Sequence, residues 1–148
     1  MGTPYEVVYS AFLSKVLEDE WGKWTTEEVE MDMKQIMYAA IPNFKFPRVS
    51  LEPAEGNYLN EAFEEDLTNN EIQIIATWMK YEWVNRCIHT WENIKPLYEE
   101  RDFSMANLLD SLNETAQLAK KEALRLESLY YRSIKGKTFE YRHLAGDQ

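Results

Sequence analysis

The feature that most constrains the fold is a heptad pattern of apolar residues in the last third of the chain. Seven residues fall at alternating steps of three and four: Leu109, Leu112, Ala116, Ala119, Ala123, Leu126 and Tyr130. Such a seam is typical of a helix that packs lengthwise against a second helix. We predict a helix that begins at Ser104, reaches about Ile134 and ends at a left-handed cap on Gly136.

The second helix of this pair is expected between residues 71 and 95, a segment that contains no Gly or Pro. Thr68, Asn69 or Asn70 would cap its start, and Pro96 would stop it. The segment is apolar on nearly every side and offers Trp and Met side chains to the alanines of the seam. We therefore predict a long antiparallel hairpin of residues 71–95 and 104–134, with the first helix buried against more than one neighbour or against another subunit.

Two shorter helices are predicted before residue 42. The run Thr3-Pro4-Tyr5-Glu6 has the form of a capping box with proline at the first helical position, and it would open a helix of about residues 4–18. A cap at Thr25 or Thr26 would open the second helix, which ends at Pro42.

The chain then departs from helical patterns between about residues 41 and 67. Because Pro47 cannot donate a hydrogen bond to a ladder, residues 44–51 are predicted to form an edge strand or an arm. Residues 136–148 are predicted to form an extended tail. The predicted fold class is mainly α: a small helical bundle in one domain, residues 1–135, with a β-like excursion at about 41–67 and this C-terminal tail.

The charge distribution is uneven along the chain. The net charge is −10, and residues 1–67 carry 14 acidic and 5 basic side chains, whereas residues 68–148 carry 12 and 11. An acidic surface repels phosphate backbones, which disfavours a protein that reads nucleic acid through a basic stripe. Two interpretations remain, which are simple solubility and a negative wall that lets DNA pass without adhering.

No catalytic, cofactor or metal site is predicted. Cys87 is the only cysteine, and it lies two residues from His89, a spacing at which helical side chains point apart. His143 is the only other histidine. The chain lacks an 18-residue apolar run and a signal-peptide pattern, which favours a cytosol-like compartment without a membrane. The sequence therefore predicts an interaction protein rather than an enzyme.

Two stretches carry a resemblance to a known family. They are the opening Thr3-Pro4-Tyr5-Glu6-Val7-Val8-Tyr9-Ser10-Ala11-Phe12-Leu13, and Asn70-Glu71-Ile72-Gln73-Ile74-Ile75-Ala76-Thr77-Trp78-Met79-Lys80-Tyr81-Glu82-Trp83, which Asp102-Phe103-Ser104 follows. In them the chain resembles the head-tail connector, or adaptor, proteins of tailed bacteriophages. The resemblance implies a homo-oligomeric ring, twelve-fold, in the neck of the virion. It also implies synthesis in the host cytoplasm and double-stranded DNA as non-specific cargo in the lumen.

The same resemblance implies partners and contact residues. The partners are the portal protein on one side of the ring and a tail or head-closure protein on the other. The residues predicted to bind the portal are in the tail: Phe139, Tyr141, Arg142 and Leu144. The residues predicted to contact neighbouring subunits are Phe44, Phe46, Val49, Trp78 and Trp91.

Two other classes of protein stay open. One is an acidic protein that mimics DNA, or another small regulatory interaction module. The other is a small enzyme that uses carboxylates, which would need a deep pocket with two converging buried acids. The sequence names no such pair.

Overall fold

The computed structural model describes residues 2–16, 26–54, 61–94 and 102–133. Four helices make up most of this part of the chain: α1 (Tyr5–Leu13), α2 (Thr26–Ala40), α3 (Asn69–Ile94) and α4 (Asp102–Ser133). A 3₁₀ turn (Ile41–Asn43) follows α2, and the described residues contain no β-strand. The prediction of a mainly α fold is confirmed. No helix within these residues combines the length and apolar character needed to cross a membrane.

α3 and α4 pack against each other in opposite directions. Glu71, at the start of α3, is hydrogen-bonded to Tyr130 near the end of α4, whereas Ile88 lies in a cluster with Ala116. The alanines of the predicted seam are buried, and Ala123 is fully enclosed. Small side chains at these positions let the two helices approach closely. The connection at residues 95–101, the predicted cap on Gly136 and the predicted tail lie outside the described residues.

α3 is the central helix of the described structure, because it contacts α1, α2 and α4. Buried residues occupy several of its faces: Ile72, Ile74, Ile75, Ala76, Trp78, Met79, Val84 and Ile88. The guanidinium group of Arg86 on α3 also forms a bidentate ion pair with the carboxylate of Asp32 on α2, with N···O distances of 2.5 and 3.0 Å. The apolar character of α3 is therefore accounted for by burial against several neighbours within one chain.

The start of α1 differs from the predicted capping box. Pro4 is the N-cap, with extended backbone angles and no side-chain cap hydrogen bond. The hydroxyl of Thr3 instead accepts a hydrogen bond from the backbone N–H of Leu67, at 2.7 Å. The predicted capping box is wrong because a segment distant in sequence competes for this hydroxyl. α1 also ends at Leu13, earlier than predicted.

Residues 61–65 connect the start of α1 to the excursion. Thr3 exchanges backbone hydrogen bonds with this segment, donating to Glu65 at 3.2 Å and accepting from Phe63 at 2.9 Å. On the other side Ala54 donates to Ala62 at 2.8 Å. These contacts produce two isolated antiparallel bridges, each of which includes a proline that cannot extend a ladder. Of the two alternatives predicted for residues 44–51, the edge strand is absent, because residues 44–48 pack on α4 and are hydrogen-bonded to its side chains.

Gly2 is required by a close approach of two backbones. A Cβ atom at this position would lie 1.4 Å from the carbonyl oxygen of Phe63. Any side chain here would push the N-terminal segment away from residues 61–65. Glycine is therefore the residue that permits this pairing.

Candidate interaction site

Two glutamates are buried in the interface between α3 and α4. Glu71 on α3 is 2% exposed and Glu127 on α4 is 5% exposed. Glutamate is rarely buried to this extent unless its carboxylate is hydrogen-bonded or paired. Sequence reasoning missed both residues. The available signals were the spacing of Glu71 from Thr68 and the position of Glu127 four residues after Ala123 in the seam.

Glu71 completes a reciprocal capping box at the start of α3. The backbone N–H of Thr68 donates to Glu71 Oε1 at 2.7 Å, and the backbone N–H of Glu71 donates to Thr68 Oγ1 at 3.3 Å. The predicted cap at Thr68 is thereby confirmed among the three alternatives. Two backbone donors that a helix N-terminus leaves without partners are satisfied by this arrangement.

Tyr130 links this cap to the excursion. Its hydroxyl donates to Glu71 Oε2 at 2.6 Å and accepts a hydrogen bond from the backbone N–H of Arg48 at 3.1 Å. Burial, followed by the hydrogen bond and charge of Glu71, raises the pKa of Tyr130 to about 12. The guanidinium group of Arg48 lies 5.8 Å from the centre of the Tyr130 ring. Residues 44–49 are hereafter called the tethered segment. The hydrogen bond from Arg48 to the Tyr130 hydroxyl is one of the contacts that hold this segment on α4.

Glu127 provides the second attachment of the tethered segment. Its Oε1 accepts a hydrogen bond from the backbone N–H of Lys45 at 3.4 Å, and its Oε2 accepts one from Trp78 Nε1 at 3.3 Å. Burial raises the pKa of the Glu127 carboxyl, although these hydrogen bonds and the charge of Lys45 act in the opposite direction. One carboxylate thus joins α3, α4 and the tethered segment.

An open groove of about 450 Å³ lies between the tethered segment and the two long helices. Its aromatic and aliphatic lining comes from all three elements: Phe46, Trp78, Tyr81, Leu124 and Tyr131. Its charged lining residues are Lys45, Lys120 and Glu127. Glu71 does not line this groove, so the two buried acids do not converge there as a carboxylate enzyme would require.

The predicted inter-subunit residues occupy different environments. Phe44 is 3% exposed and packs edge-on against Tyr130 at 5.5 Å, and Trp78 is 5% exposed. Both side chains therefore belong to the core of this chain. Val49 is half-buried against the same core. Phe46 alone among these four is well exposed, at 71%, with its ring 6.3 Å from that of Tyr131.

The remaining predicted contact residues fall outside what the structure describes. Trp91 lies on α3, but the described side chains of that helix end before it. Phe139, Tyr141, Arg142 and Leu144 follow the last described residue, Ser133. Their proposed contacts remain predictions from the sequence.

Within the described part of the chain, no three His, Cys, Asp or Glu side chains are grouped so that they could hold a metal ion. Cys87 is half-buried on α3. Comparison with known proteins adds no identity, since no protein-family model, curated protein or solved structure matches this chain.

Replacing Glu127 with glutamine should remove part of the pH dependence of stability. Because the pKa of Glu127 is raised on folding, the native state keeps a proton at pH values where the unfolded chain has released it. The free energy of unfolding should therefore fall as pH rises from the ordinary carboxyl pKa through the raised one. Urea unfolding of both proteins between about pH 4 and 7 measures the slope, which should be shallower in Glu127→Gln.

Glu114→Gln is the matched control for this experiment, because Glu114 is exposed on the same helix. Its pH profile should follow that of the unaltered protein. Parallel profiles for the unaltered protein and Glu127→Gln would show that burial of Glu127 has no effect on its titration.

Proposed function

We propose that this chain is a structural subunit of a bacteriophage head-tail connector, which assembles with its own copies into a ring between portal and tail. The proposed ring is twelve-fold and lies in the neck of the virion, and double-stranded DNA passes through its lumen. The partners are the portal protein and a tail or head-closure protein.

The observation that carries this proposal is the exposure of the Phe46 side chain on a segment that is fixed in place. An aromatic side chain that is 71% exposed lies on a segment fixed at Lys45 and Arg48 by backbone hydrogen bonds to α4 side chains. Protein interfaces are enriched in aromatic anchors, and a pre-ordered anchor loses less conformational entropy on binding. An extended segment with no exposed apolar residue would have supported a purely internal role.

The proposal assigns the other contacts as follows. Phe46 contacts the neighbouring subunit, and Val49 lies beside it at the edge of that contact. Phe44 and Trp78 support the tethered segment from within the core. The tail residues Phe139, Tyr141, Arg142 and Leu144 dock on the portal protein, and Trp91 contacts a neighbouring subunit.

The acidic half of the chain suits a surface that faces DNA. Glu27, Glu28 and Glu30 are exposed on α2, and Glu64 and Glu65 are exposed before α3. Like charge between this surface and the phosphate backbone would prevent adhesion to passing DNA. We place α2 at the lumen of the proposed ring for this reason.

Light scattering coupled to size exclusion tests the proposal, with the protein alone and mixed with a candidate portal protein. A species of ring mass, or a complex with the portal, is the expected result. Deletion of residues 136–148 should abolish portal binding and leave the helical fold intact. A monomer that does not bind the portal would overturn the proposal.

The role of Phe46 is tested by Phe46→Ser, which should abolish the ring or the complex without changing the helical content. Leu118→Ser is the matched control, because Leu118 is also an exposed apolar residue, at 61%, and does not line the groove. Equal loss of assembly in both variants would indicate a general effect of surface polarity and would remove Phe46 from the interface.

An acidic DNA mimic is the second candidate function. The observation that favours it is the same set of exposed glutamates on α2 and before α3. A mimic would bind a basic nucleic-acid-binding protein with an affinity that falls steeply as salt is added. Tight, salt-dependent binding of this kind by the monomer would favour the mimic over the connector.

A further inference from the structure

The carboxylate of Glu127 has unused capacity to accept hydrogen bonds. Each of its oxygens accepts one bond from an uncharged N–H group, at 3.3 and 3.4 Å, and the Tyr131 hydroxyl also interacts with the carboxylate, whereas an ionised carboxylate can accept about four bonds. No lysine or arginine in the described part of the chain forms an ion pair with it. A glutamate that is 5% exposed without such a pair is costly for the fold, and a cation from outside would reduce that cost.

Aromatic rings surround the groove that Glu127 lines. Trp78 and Tyr81 lie edge to face at 5.5 Å, and Phe46 and Tyr131 lie edge to face at 6.3 Å. Aromatic faces attract organic cations through their quadrupole, and the Glu127 carboxylate, when ionised, would add a negative charge in the same cavity. The volume of about 450 Å³ lies within the range of known ligand sites.

The shape of these groups favours guanidinium over ammonium. A guanidinium group is planar, stacks on aromatic rings and donates two parallel hydrogen bonds to a carboxylate. An ammonium group is a compact and strongly hydrated charge, which is harder to desolvate in an aromatic groove.

The exposed lysines at the rim of the groove are positively charged, whereas the buried Glu127 at its floor is the acidic lining residue. Lys45 and Lys120 both line the groove and would repel a ligand that is purely cationic. A ligand in which a carboxylate lies next to the guanidinium group would complement both the floor and the rim. An arginine with an acidic neighbour in a peptide chain has this arrangement of charges.

We infer that the groove is a binding site for an arginine side chain of a partner protein, with an acidic residue next to that arginine in the partner's sequence. The guanidinium group binds Glu127 among the aromatic side chains, and the adjacent carboxylate lies towards Lys45 and Lys120. The site is complete within one chain, so this inference does not require the proposed ring.

The test uses the capped dipeptide acetyl-Arg-Asp-amide added to the full chain. Binding is followed by NMR through the indole N–H of Trp78, which donates to Glu127. We expect a saturable shift of this resonance. Acetyl-citrulline-Asp-amide, which has the same shape without the charge, should bind about tenfold more weakly, because a charge-assisted pair is lost. The lysine dipeptide should also bind more weakly.

Three variants connect the binding to the groove. Glu127→Gln should weaken binding of the arginine dipeptide about tenfold, since the charge on the floor is removed. Phe46→Ala should also weaken it and keeps the test valid if Glu127→Gln does not fold, because Phe46 is exposed. Leu118→Ala lies outside the groove and should bind like the unaltered protein.

Three results would overturn the inference. They are a shift of the Trp78 resonance that does not saturate, equal binding of the arginine and citrulline dipeptides, and unchanged binding in both Glu127→Gln and Phe46→Ala. Equal binding of tetramethylammonium would overturn the assignment to guanidinium. Failure of ring formation would leave these dipeptide results unchanged, so the two proposals fail separately.

Discussion

Replacing Phe63 with alanine is expected to lower the free energy of unfolding by about 3–5 kcal/mol. Phe63 is completely buried and packs edge-on against Tyr5 at 4.8 Å between ring centres. It anchors residues 61–65, which hold the start of α1 through backbone hydrogen bonds. Removing the ring leaves a cavity that the surrounding backbone cannot fill without breaking that pairing. Urea unfolding followed by circular dichroism measures the loss.

Phe46→Ala is the matched control, because it makes the same chemical change at a side chain that is 71% exposed. Its effect on the free energy of unfolding should stay within about 0.5 kcal/mol. If the two variants lost similar stability, the burial of Phe63 and the exposure of Phe46 would both be in doubt. The pair also separates the stability of the subunit from its ability to assemble.

Replacing Glu71 with alanine should cost about 2–4 kcal/mol of stability. The change removes the side chain of the capping box and leaves the N–H of Thr68 and the hydroxyl of Tyr130 without their acceptor. The Tyr130 hydroxyl is buried, and a buried donor that loses its acceptor costs more than the hydrogen bond itself contributes, so the loss should exceed that of an ordinary helix cap. Thermal and urea unfolding of the variant provide the measurement.

Two further variants divide this effect between its parts. Thr68→Ala removes one side of the capping box and should cost about 1 kcal/mol. Tyr130→Phe keeps the ring and removes the hydroxyl, and it should also increase amide hydrogen exchange at Arg48, whose N–H donates to that hydroxyl. Unchanged exchange at Arg48 in Tyr130→Phe would show that the tethered segment is held by other contacts.

The helices could be predicted because their signals are local. The seam from Leu109 to Tyr130 follows a heptad spacing that only a helix places on one face. α3 begins and ends within about two residues of its predicted bounds, since Thr68 caps it and Pro96 follows it in sequence. These elements confirm the mainly α class and the cap at Thr68, whereas the connection and the tail lie outside the described residues.

The candidate site could not be predicted because its contacts join residues that are distant in sequence. Lys45 and Glu127, like Arg48 and Tyr130, are 82 residues apart. No spacing rule connects such positions, and Glu127 alone suggests an exposed glutamate on a helix. The same reason explains the wrong capping box, since the Thr3 hydroxyl bonds Leu67 across 64 residues. Local pattern identified the helices, whereas the groove depends on how they come together.

The tethered segment also imposes an order on biosynthesis. A ribosome that adds about 5–20 residues per second needs about 4–16 s to proceed from Arg48 to Tyr130. During that interval Phe44 has no Tyr130 ring to pack against, although α1 and α2 have already been made. The tethered segment can therefore take its final position only after α4 has been made.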